Sequence, residues 1–134
     1  MILTGNVTKG MGTAKKFVNM MQNSFYTKTN VILFLGTLNI KLNKSYVLKP
    51  DFIIKAKEYG GAFNVQIQKC KVLNENAYIV RSEKNIDKNG DYGQDIIEIV
   101  SDINFRKKYN LKDGDRINIL IQWEVWSVMW EVWN

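Results

Sequence analysis

The sequence predicts a mainly β protein, a small closed barrel with one clear helix. Many short segments rich in β-branched and apolar residues predict strands, glycine and asparagine turns separate them at close spacing, and only one segment has clear helical periodicity. The 134 residues suit one domain whose core needs no disulfide or metal. Because no linker precedes about Gln122, we expect a barrel domain over residues 1–121 and a Trp-rich tail over 122–134.

The first third of the chain contains the predicted helix. Residues 2–8 predict a strand, which a glycine-bearing turn ends. Residues 14–26 predict a helix with two faces; the apolar face carries Phe17, Met20, Met21 and Phe25, and the polar face carries Lys15, Lys16 and Gln22. Residues 31–42 are rich in β-branched and apolar side chains and are interrupted at Gly36 and Thr37.

The rest of the chain is a series of predicted strands and turns. A strand at 52–56 follows the only proline, and a turn at Gly60-Gly61 separates it from an alternating segment at 63–68 with Phe63, Val65 and Ile67 on one face. A hairpin of 70–73 and 77–80 is predicted around Asn74-Glu75-Asn76, followed by a long loop at 82–93 and a strand at 96–100. The remaining elements are one or two helical turns at 104–109, an Asp113-Gly114 turn and a strand at 117–121.

Two residue counts limit the possible chemistry. The chain has no histidine and a single cysteine, Cys70. These counts exclude Ser-His-Asp and Cys-His catalysis, histidine pH switches and zinc sites built from Cys and His. A lone cysteine makes no internal disulfide, which fits a reducing compartment. No signal peptide or membrane-spanning run is apparent, so we expect a cytoplasmic protein that does not bind a membrane.

The formal net charge is +6. Such an excess suits nucleic acid, a membrane surface or a small anionic ligand. The lysines are scattered along the chain instead of forming one block, which is more typical of a solvated surface than of a nucleic-acid footprint. We therefore do not expect nucleic acid as a partner.

The first candidate site runs from strand to glycine turn to helix start. Its residues are Gly10, Met11, Gly12, Thr13, Ala14, Lys15 and Lys16. Glycines allow successive backbone N–H groups to converge on an anion, and the helix start and the lysines add positive charge. This pattern favours a triphosphate-binding loop, although a simple tight turn explains the spacing equally well. It matches neither the Walker motif nor the dinucleotide fingerprint.

The second candidate is the pair Thr37 and Asn39 in Gly36-Thr-Leu-Asn39. Residues two apart on a strand point to the same side, so both would present a neutral oxygen there. Mg²⁺ prefers oxygen ligands and shares the phosphate oxygens of a nucleotide. Pattern alone, however, favours an outward polar pair on a half-buried strand.

The third candidate is Glu98, which shares a strand face with Ile96 and Val100. A carboxylate between two apolar neighbours departs from the usual alternation. Burial would raise its pKa and make it a candidate base or hydroxyl anchor. An edge strand whose face meets solvent explains the pattern equally well.

In this order and at these separations, the three stretches resemble the archaeal-type CTP-dependent riboflavin kinase family over about residues 2–121. Gly-Thr-Leu-Asn at 36–39 is the most distinctive element. The Gly-x-Val-x-x-Gly-x-Gly run from Gly5 supports it, as does the closing run over 96–115, Ile-Ile-Glu-Ile to Arg to Tyr-Asn-Leu-Lys-Asp-Gly-Asp. No single motif decides the resemblance, but their joint order is specific.

The resemblance implies a six-stranded cradle-loop barrel of the riboflavin kinase type. Separately from the resemblance, we expect a monomer. The resemblance also implies that CTP and riboflavin are converted to CDP and FMN, with Mg²⁺ as cofactor. Thr37 and Asn39 would ligate the metal, and Glu98 would contact riboflavin near the hydroxyl that is phosphorylated. The residues implied to bind the nucleotide are those of the loop, from Gly10 to Lys16, together with Ile103, Asn104, Phe105 and Arg106.

Three departures from the family pattern motivate other functions. Thr13-Ala14 replaces an acidic or glycine pair, Phe34-Leu35 stands where many members have a proline, and Asn89-Gly-Asp-Tyr92 replaces a flavin-contacting loop. The changed loop motivates a non-catalytic flavin or nucleotide sensor on the same barrel. The net charge motivates a nucleic-acid-binding barrel, for which the sequence offers no evident stacking platform.

The tail contains all four tryptophans of the chain. Trp123-Glu-Val-Trp126 recurs as Trp130-Glu-Val-Trp133, and on a helix the four rings would form one stripe. Such a stripe is compatible with an oligomerisation or membrane-interface segment. We favour an extension without a catalytic role, which a tandem duplication would explain.

Overall fold

A computed structural model describes residues 1–10, 12–86 and 94–121. These residues form strands and helices in the following order: β1 (Ile2–Thr8), α1 (Ala14–Thr29), β2 (Leu38–Leu42), β3 (Phe52–Ile54), α2 (Ala56–Tyr59), β4 (Val65–Val72), β5 (Glu75–Ser82), α3 (Glu83–Ile86), β6 (Ile96–Val100), α4 (Phe105–Lys108) and β7 (Arg116–Ile121). The predicted mainly β fold is confirmed, and α2 and α3 are single turns that the sequence analysis did not foresee.

Six strands close into an antiparallel barrel in the order β4-β5-β6-β2-β1-β7, and β7 pairs back onto β4. β4 has two partners on one edge, because β3 pairs with its first residues from Val65 to Ile67 and β7 pairs with its last from Cys70 to Val72. Full closure removes most of the free strand edges that would otherwise invite aggregation. This ring is the six-stranded barrel that the family resemblance implies.

Apolar residues form two layers, one inside the barrel and one outside it. Alternate residues of the strands point inward, as Ile40, Ile79 and Ile119 do, and α4 contributes Phe105 to the same interior cluster. The outer layer lies under α1, where the helix covers residues of β3, β4, β5 and β6. Because α1 packs on this part of the barrel wall, the segments directly before and after the helix are positioned by it as well.

Helix α1 presents a narrower apolar face than the sequence predicts. Val18, Met21 and Phe25 are fully buried, whereas Phe17 is half-buried and Met20 is 41% exposed. A helix that lies on a convex barrel wall contacts it through one row of residues spaced three and four apart, and Met20 does not belong to that row. The helix ends three residues later than predicted.

The segment after α1 is held by a side chain instead of a strand partner. The Gln22 side-chain amide donates to the Leu33 carbonyl oxygen and accepts from the Leu33 N–H, both at 2.9 Å. This pair imitates the bonds of a β ladder, so residues 31–34 are held against the helix without forming a strand of the sheet, and the chain then bends at Leu35 and Gly36. Of the β-rich segment 31–42, only the part after Thr37 becomes a strand, and Gln22 has a structural role on the supposed polar face.

Two local predictions are shifted along the chain. The hairpin turn lies at Leu73 and Asn74, both with positive φ, and Glu75 already belongs to β5. A two-residue turn of this kind requires left-handed backbone at both positions, which leucine adopts rarely. Phe63 precedes β4 and is 40% exposed, so it does not share the buried face of Val65.

Gly5 lies where β1 and β2 approach most closely. An added Cβ would overlap the Lys41 carbonyl oxygen and lie 2.8 Å from Ile40 Cγ2. Because the clash is with paired backbone, we expect Gly5→Ala to lower the free energy of unfolding by about 3 kcal/mol. Urea denaturation would measure this loss. Gly60→Asn is the control, since Gly60 has open space around it and asparagine tolerates its positive φ; equal stability of the two variants would contradict the prediction.

None of the helices within the described ranges is long and apolar enough to cross a membrane.

Candidate functional site

A cleft of about 460 Å³ opens on the barrel wall where β1 ends and α1 begins. Four separated stretches of the chain meet there, and the lining residues are Lys9, Gly10, Gly12, Ala14, Lys15, Gly36, Thr37, Asn39, Arg106 and Asp113. The glycine loop, the Thr-Asn pair and the arginine after β6 are therefore brought together on one side of the barrel.

The cleft is electropositive. Among the described residues that line it, Lys9, Lys15 and Arg106 are accompanied by one carboxylate, that of Asp113, which leaves an excess of two positive charges. Arg106 is held in place, because its Nη2 lies 2.6 Å from Asp113 Oδ1 and donates to the Thr8 carbonyl oxygen at 3.2 Å. An anchored guanidinium beside two lysines is suited to a polyanionic ligand.

The first turn of α1 contributes to the same electrostatics. No acidic residue lies in that turn, and the N-cap residue Thr13 makes no side-chain hydrogen bond to it. The first N–H groups of a helix have no partner within it and carry partial positive charge. Ala14 and Lys15, the first two residues of the helix, both line the cleft. This end of α1 is thus arranged for an external anion.

Thr37 and Asn39 are adjacent in space as well as in sequence. The Thr37 hydroxyl donates to Asn39 Oδ1 at 3.2 Å, and Asn39 is only 5% exposed. Asn39 lies on the outer side of β2, because its neighbours Leu38 and Ile40 point into the barrel. The strand therefore directs two neutral oxygens into the cleft from its floor.

Glu98 lies one strand further along the same wall. In the sheet register Asn39 faces Thr8 of β1 on one side and Glu98 of β6 on the other. Residues directly opposite in antiparallel strands have Cβ atoms about 5 Å apart. Glu98 is half-buried, and Val100 on the same face of β6 packs under α1. The carboxylate thus stands beside the Thr-Asn pair on a partly covered face.

A second cleft of about 240 Å³ adjoins the first and shares Gly36, Thr37 and Arg106 with it. Its remaining lining residues are mostly apolar: Phe34, Leu38, Ile99, Ser101, Ile103, Asn104 and Phe105. The Asn104 side chain also caps α4, accepting from the Lys107 N–H at 3.2 Å. An apolar cavity beside an electropositive one suits a ligand with a flat ring and a charged chain.

A family model for the CTP-dependent riboflavin kinase domain, described as domain of unknown function DUF120, matches residues 7–121. The chain belongs to this family. Curated relatives named riboflavin kinase include those of Thermoplasma volcanium, 29% identical over 88% of this chain, Methanosarcina acetivorans, 32% identical over 86%, and Methanococcus maripaludis, 29% identical over 90%. The chain spans about half the length of the first two, 56% and 51%, and the full length of the third.

Most residues that the riboflavin kinase resemblance singled out line one of the two clefts. Gly10, Gly12, Ala14 and Lys15 line the first, Ile103, Asn104 and Phe105 line the second, and Arg106 lines both. Thr13 and Lys16 are exposed and do not belong to the lining of the first cleft. Met11, the loop 89–92 and the tail 122–134 lie outside the described residues.

Sequence reasoning missed several lining residues of the kinase-family clefts. Lys9 and Asp113 line the first cleft, and Phe34 and Ser101 line the second. Asp113 belongs to the Asp-Gly turn and to the closing run of the family resemblance, neither of which predicts a role in the cleft, and its ion pair with Arg106 is the signal that assigns it there. Phe34 was noticed only as a departure from the family pattern.

The single cysteine does not contribute to either cleft. Cys70 lies inside the barrel, and burial raises the pKa of its thiol to about 12. A thiol with such a pKa stays protonated at neutral pH and is a poor nucleophile. The chemistry of the clefts therefore depends on amides, hydroxyls, cations and carboxylates.

Proposed function

We propose that this chain is a CTP-dependent riboflavin kinase that transfers the terminal phosphate of CTP to the ribityl hydroxyl of riboflavin. The hydroxyl oxygen forms a bond to the γ-phosphorus, the bond from that phosphorus to the bridging oxygen breaks, and FMN, CDP and a proton result. The main support is the junction of a cationic cleft, a Thr-Asn oxygen pair and a neighbouring carboxylate, all within a family of this name. The preference for CTP rests on the family name.

The nucleotide phosphates would lie in the first cleft. The glycine loop and the first N–H groups of α1 offer backbone donors, while Lys15 and Arg106 supply full charges. Phosphoryl transfer requires mainly positioning and charge neutralisation. The Asp113 carboxylate would keep Arg106 oriented toward the phosphate chain.

A divalent cation fits the Thr-Asn pair. Thr37 Oγ1 and Asn39 Oδ1 lie 3.2 Å apart, and the described residues contain no cluster of three or more Asp, Glu, His or Cys side chains that would compete for the ion. Mg²⁺ accepts neutral oxygen ligands when phosphates supply the negative charge. When bound there, the metal would neutralise charge on the transferred phosphate and the leaving group. Thr37 and Asn39 would hold the ion and thereby fix the phosphate position.

Glu98 would act on the acceptor. Its place in the sheet, directly opposite Asn39, brings a carboxylate beside the expected phosphate position. From there it would orient the terminal ribityl hydroxyl and accept its proton as the oxygen attacks. The nucleotide base would occupy the second cleft, against Phe34, Ile103 and Phe105. We further propose that the enzyme acts as a monomer in the cytoplasm.

The direct test incubates the purified full chain with riboflavin, Mg²⁺ and each nucleoside triphosphate in turn. We expect FMN and CDP to accumulate with CTP and much more slowly with the others. Failure to form FMN with any nucleotide would overturn the kinase proposal. Flavin binding without turnover would favour the sensor, and salt-sensitive DNA binding in a gel-shift assay would favour a nucleic-acid-binding barrel.

A further inference from the structure

The two oxygens of the Thr-Asn pair are held by different parts of the structure. Asn39 belongs to β2, and the sheet fixes it on both sides, through Thr8 of β1 and Glu98 of β6. Thr37 precedes Leu38, the first residue of that strand, and therefore lies outside the ladder. The position of the Thr37 hydroxyl thus depends on the segment that leads into β2.

The segment before Thr37 is bonded to helix α1 through one side chain. The N–H and the carbonyl oxygen of Leu33 both bond to the Gln22 amide, each at 2.9 Å, and the Leu33 side chain is buried in the apolar cluster under the helix. A planar amide that donates and accepts at once fixes the direction of the bonded backbone as well as its distance. Leu33 consequently takes its position and orientation from α1.

The residues between Leu33 and Thr37 transmit this position, because their own conformation is restricted. The Phe34 N–H donates to the Ser101 carbonyl oxygen at 2.8 Å, and the Phe34 carbonyl oxygen accepts from the Gly36 N–H at 3.0 Å. The Phe34 ring lies against Gly36, where an added Cβ would come within 2.9 Å of Phe34 Cε2. A displacement of Leu33 would therefore be passed on to Thr37 instead of being absorbed by a flexible loop.

Helix α1 is also the element whose start faces the first cleft. Ala14 and Lys15 line the cleft, and Gln22 follows Lys15 at a spacing of i to i+7 along the helix. This spacing is close to two helical turns, so Lys15 and Gln22 lie on the same side of α1, about 10 Å apart along its axis. One helix therefore connects the proposed phosphate position at its start with the segment that carries Thr37.

We propose that Gln22 is a positioning residue for the metal pair and that it acts through Thr37. By holding Leu33, Gln22 sets where the Thr37 hydroxyl lies relative to the first turn of α1, and thereby relative to the phosphates. This inference rests on the proposed function, because the ion and the phosphates are those of the proposed kinase. Gln22 does not belong to the lining of either cleft, so its contribution follows from the hydrogen bonds alone.

Metal binding tests the proposal without turnover. Mn²⁺ suits the same oxygen ligands as Mg²⁺, and the loss of its free-ion EPR signal reports binding to the full chain with CDP, compared with CDP alone. Gln22→Met keeps the length of the side chain and removes both hydrogen bonds, so we expect Mn²⁺ binding to weaken about 10-fold. Ser24→Ala is the matched control, because Ser24 of the same helix donates to the Glu58 carbonyl oxygen of α2 at 3.1 Å, outside both clefts. Its Mn²⁺ binding should equal that of the wild type.

A double-mutant cycle separates positioning from a general effect on the fold. In a Thr37→Ala background, Gln22→Met should weaken Mn²⁺ binding by less than about 2-fold more, because the group that Gln22 positions is already removed. Equal weakening in both backgrounds would overturn the proposal. Gln22→Asn keeps the amide but is one methylene shorter, so it repeats the cycle in a variant that stays polar, and circular dichroism would verify that each variant is folded.

Steady-state kinetics supply a second readout. Gln22→Met leaves both ligand oxygens in the chain, so the Mg²⁺ concentration for half-maximal rate should rise about 10-fold, while kcat at saturating Mg²⁺ stays within about 2-fold of the wild type.

The possible failures are distinguishable. Equal Mn²⁺ binding by the wild type and Gln22→Met would overturn the positioning role and leave the proposed kinase activity intact. A wild type that bound no more Mn²⁺ than CDP alone does would overturn the metal role of Thr37 and Asn39, and the role of Gln22 with it. The expected Mn²⁺ pattern without any formation of FMN would support the positioning role and overturn the kinase proposal alone.

Discussion

Replacing both cleft oxygens in the double variant Thr37→Ala, Asn39→Ala is expected to abolish riboflavin phosphorylation, with kcat falling about 10³-fold or more. The two side chains are the neutral oxygens on the floor of the cationic cleft, and they bind each other at 3.2 Å. Removing them together deletes the predicted metal ligands and leaves neither partner of their hydrogen bond unpaired. We therefore expect the fold to survive, with an unfolding midpoint close to that of the wild type.

The barrel contains a matched control for this experiment. Thr4 and Asn118 form the same kind of hydrogen bond, at 2.9 Å, between β1 and β7 outside the cleft. The double variant Thr4→Ala, Asn118→Ala should retain wild-type turnover. Raising the Mg²⁺ concentration should partly restore a Thr37→Ala single variant but not the double variant. Near-normal turnover in the cleft double variant would remove these side chains from the metal role.

The second large effect is expected from Glu98→Gln, which should lower kcat about 10²-fold. Glutamine has the shape of glutamate and keeps one acceptor oxygen, but it cannot take a proton from the ribityl hydroxyl. Because the proposed phosphate and metal positions lie at Asn39, across the register from Glu98, KM for CTP should change little. Steady-state kinetics with each substrate varied would separate these two parameters.

Glu58→Gln is the control for this change. Glu58 lies on α2, where it pairs with Lys28 at 3.5 Å, far along the chain from both clefts. Its replacement should leave kcat and KM as they are. If Glu98→Gln turns over at the wild-type rate, the carboxylate has a structural role and another group accepts the proton.

Much of the fold follows from local pattern. The strand Ile96–Val100 is predicted at its observed bounds because turn residues flank a short β-branched run. The start of α1 is predicted because a glycine turn precedes a regular amphipathic repeat. Local pattern does not reveal that Gln22 binds Leu33, because that contact depends on how the chain after the helix folds back. Nor does it reveal that Met20 is exposed, because the curvature of the wall beneath decides the width of the buried face.

The candidate site likewise contains residues that local sequence pattern predicts and residues that it does not. The members that belong to recognisable motifs, such as Thr37, Asn39 and Arg106, line the clefts as a group. Lys9 and Asp113 belong to no motif that signals an anion site, and only the pairing of β1 with β7 brings their segments together. The strand pattern does not decide whether the face that carries Glu98 is buried or meets solvent. The sheet register decides its surroundings, because it places Glu98 directly opposite Asn39.

The pairing of β1 with β7 has a consequence for biosynthesis. Thr4 and Asn118 bond across 114 positions of the chain, and Arg106 reaches the Thr8 carbonyl across 98. Contacts this distant in sequence make a transition state costly to reach, so such barrels fold slowly. On the ribosome, β1 can pair with β2 early, but its other edge has no partner until β7, the last strand described, has emerged. A nascent chain thus cannot close the barrel until almost all of it has been translated, and slowing elongation would not help it to fold earlier.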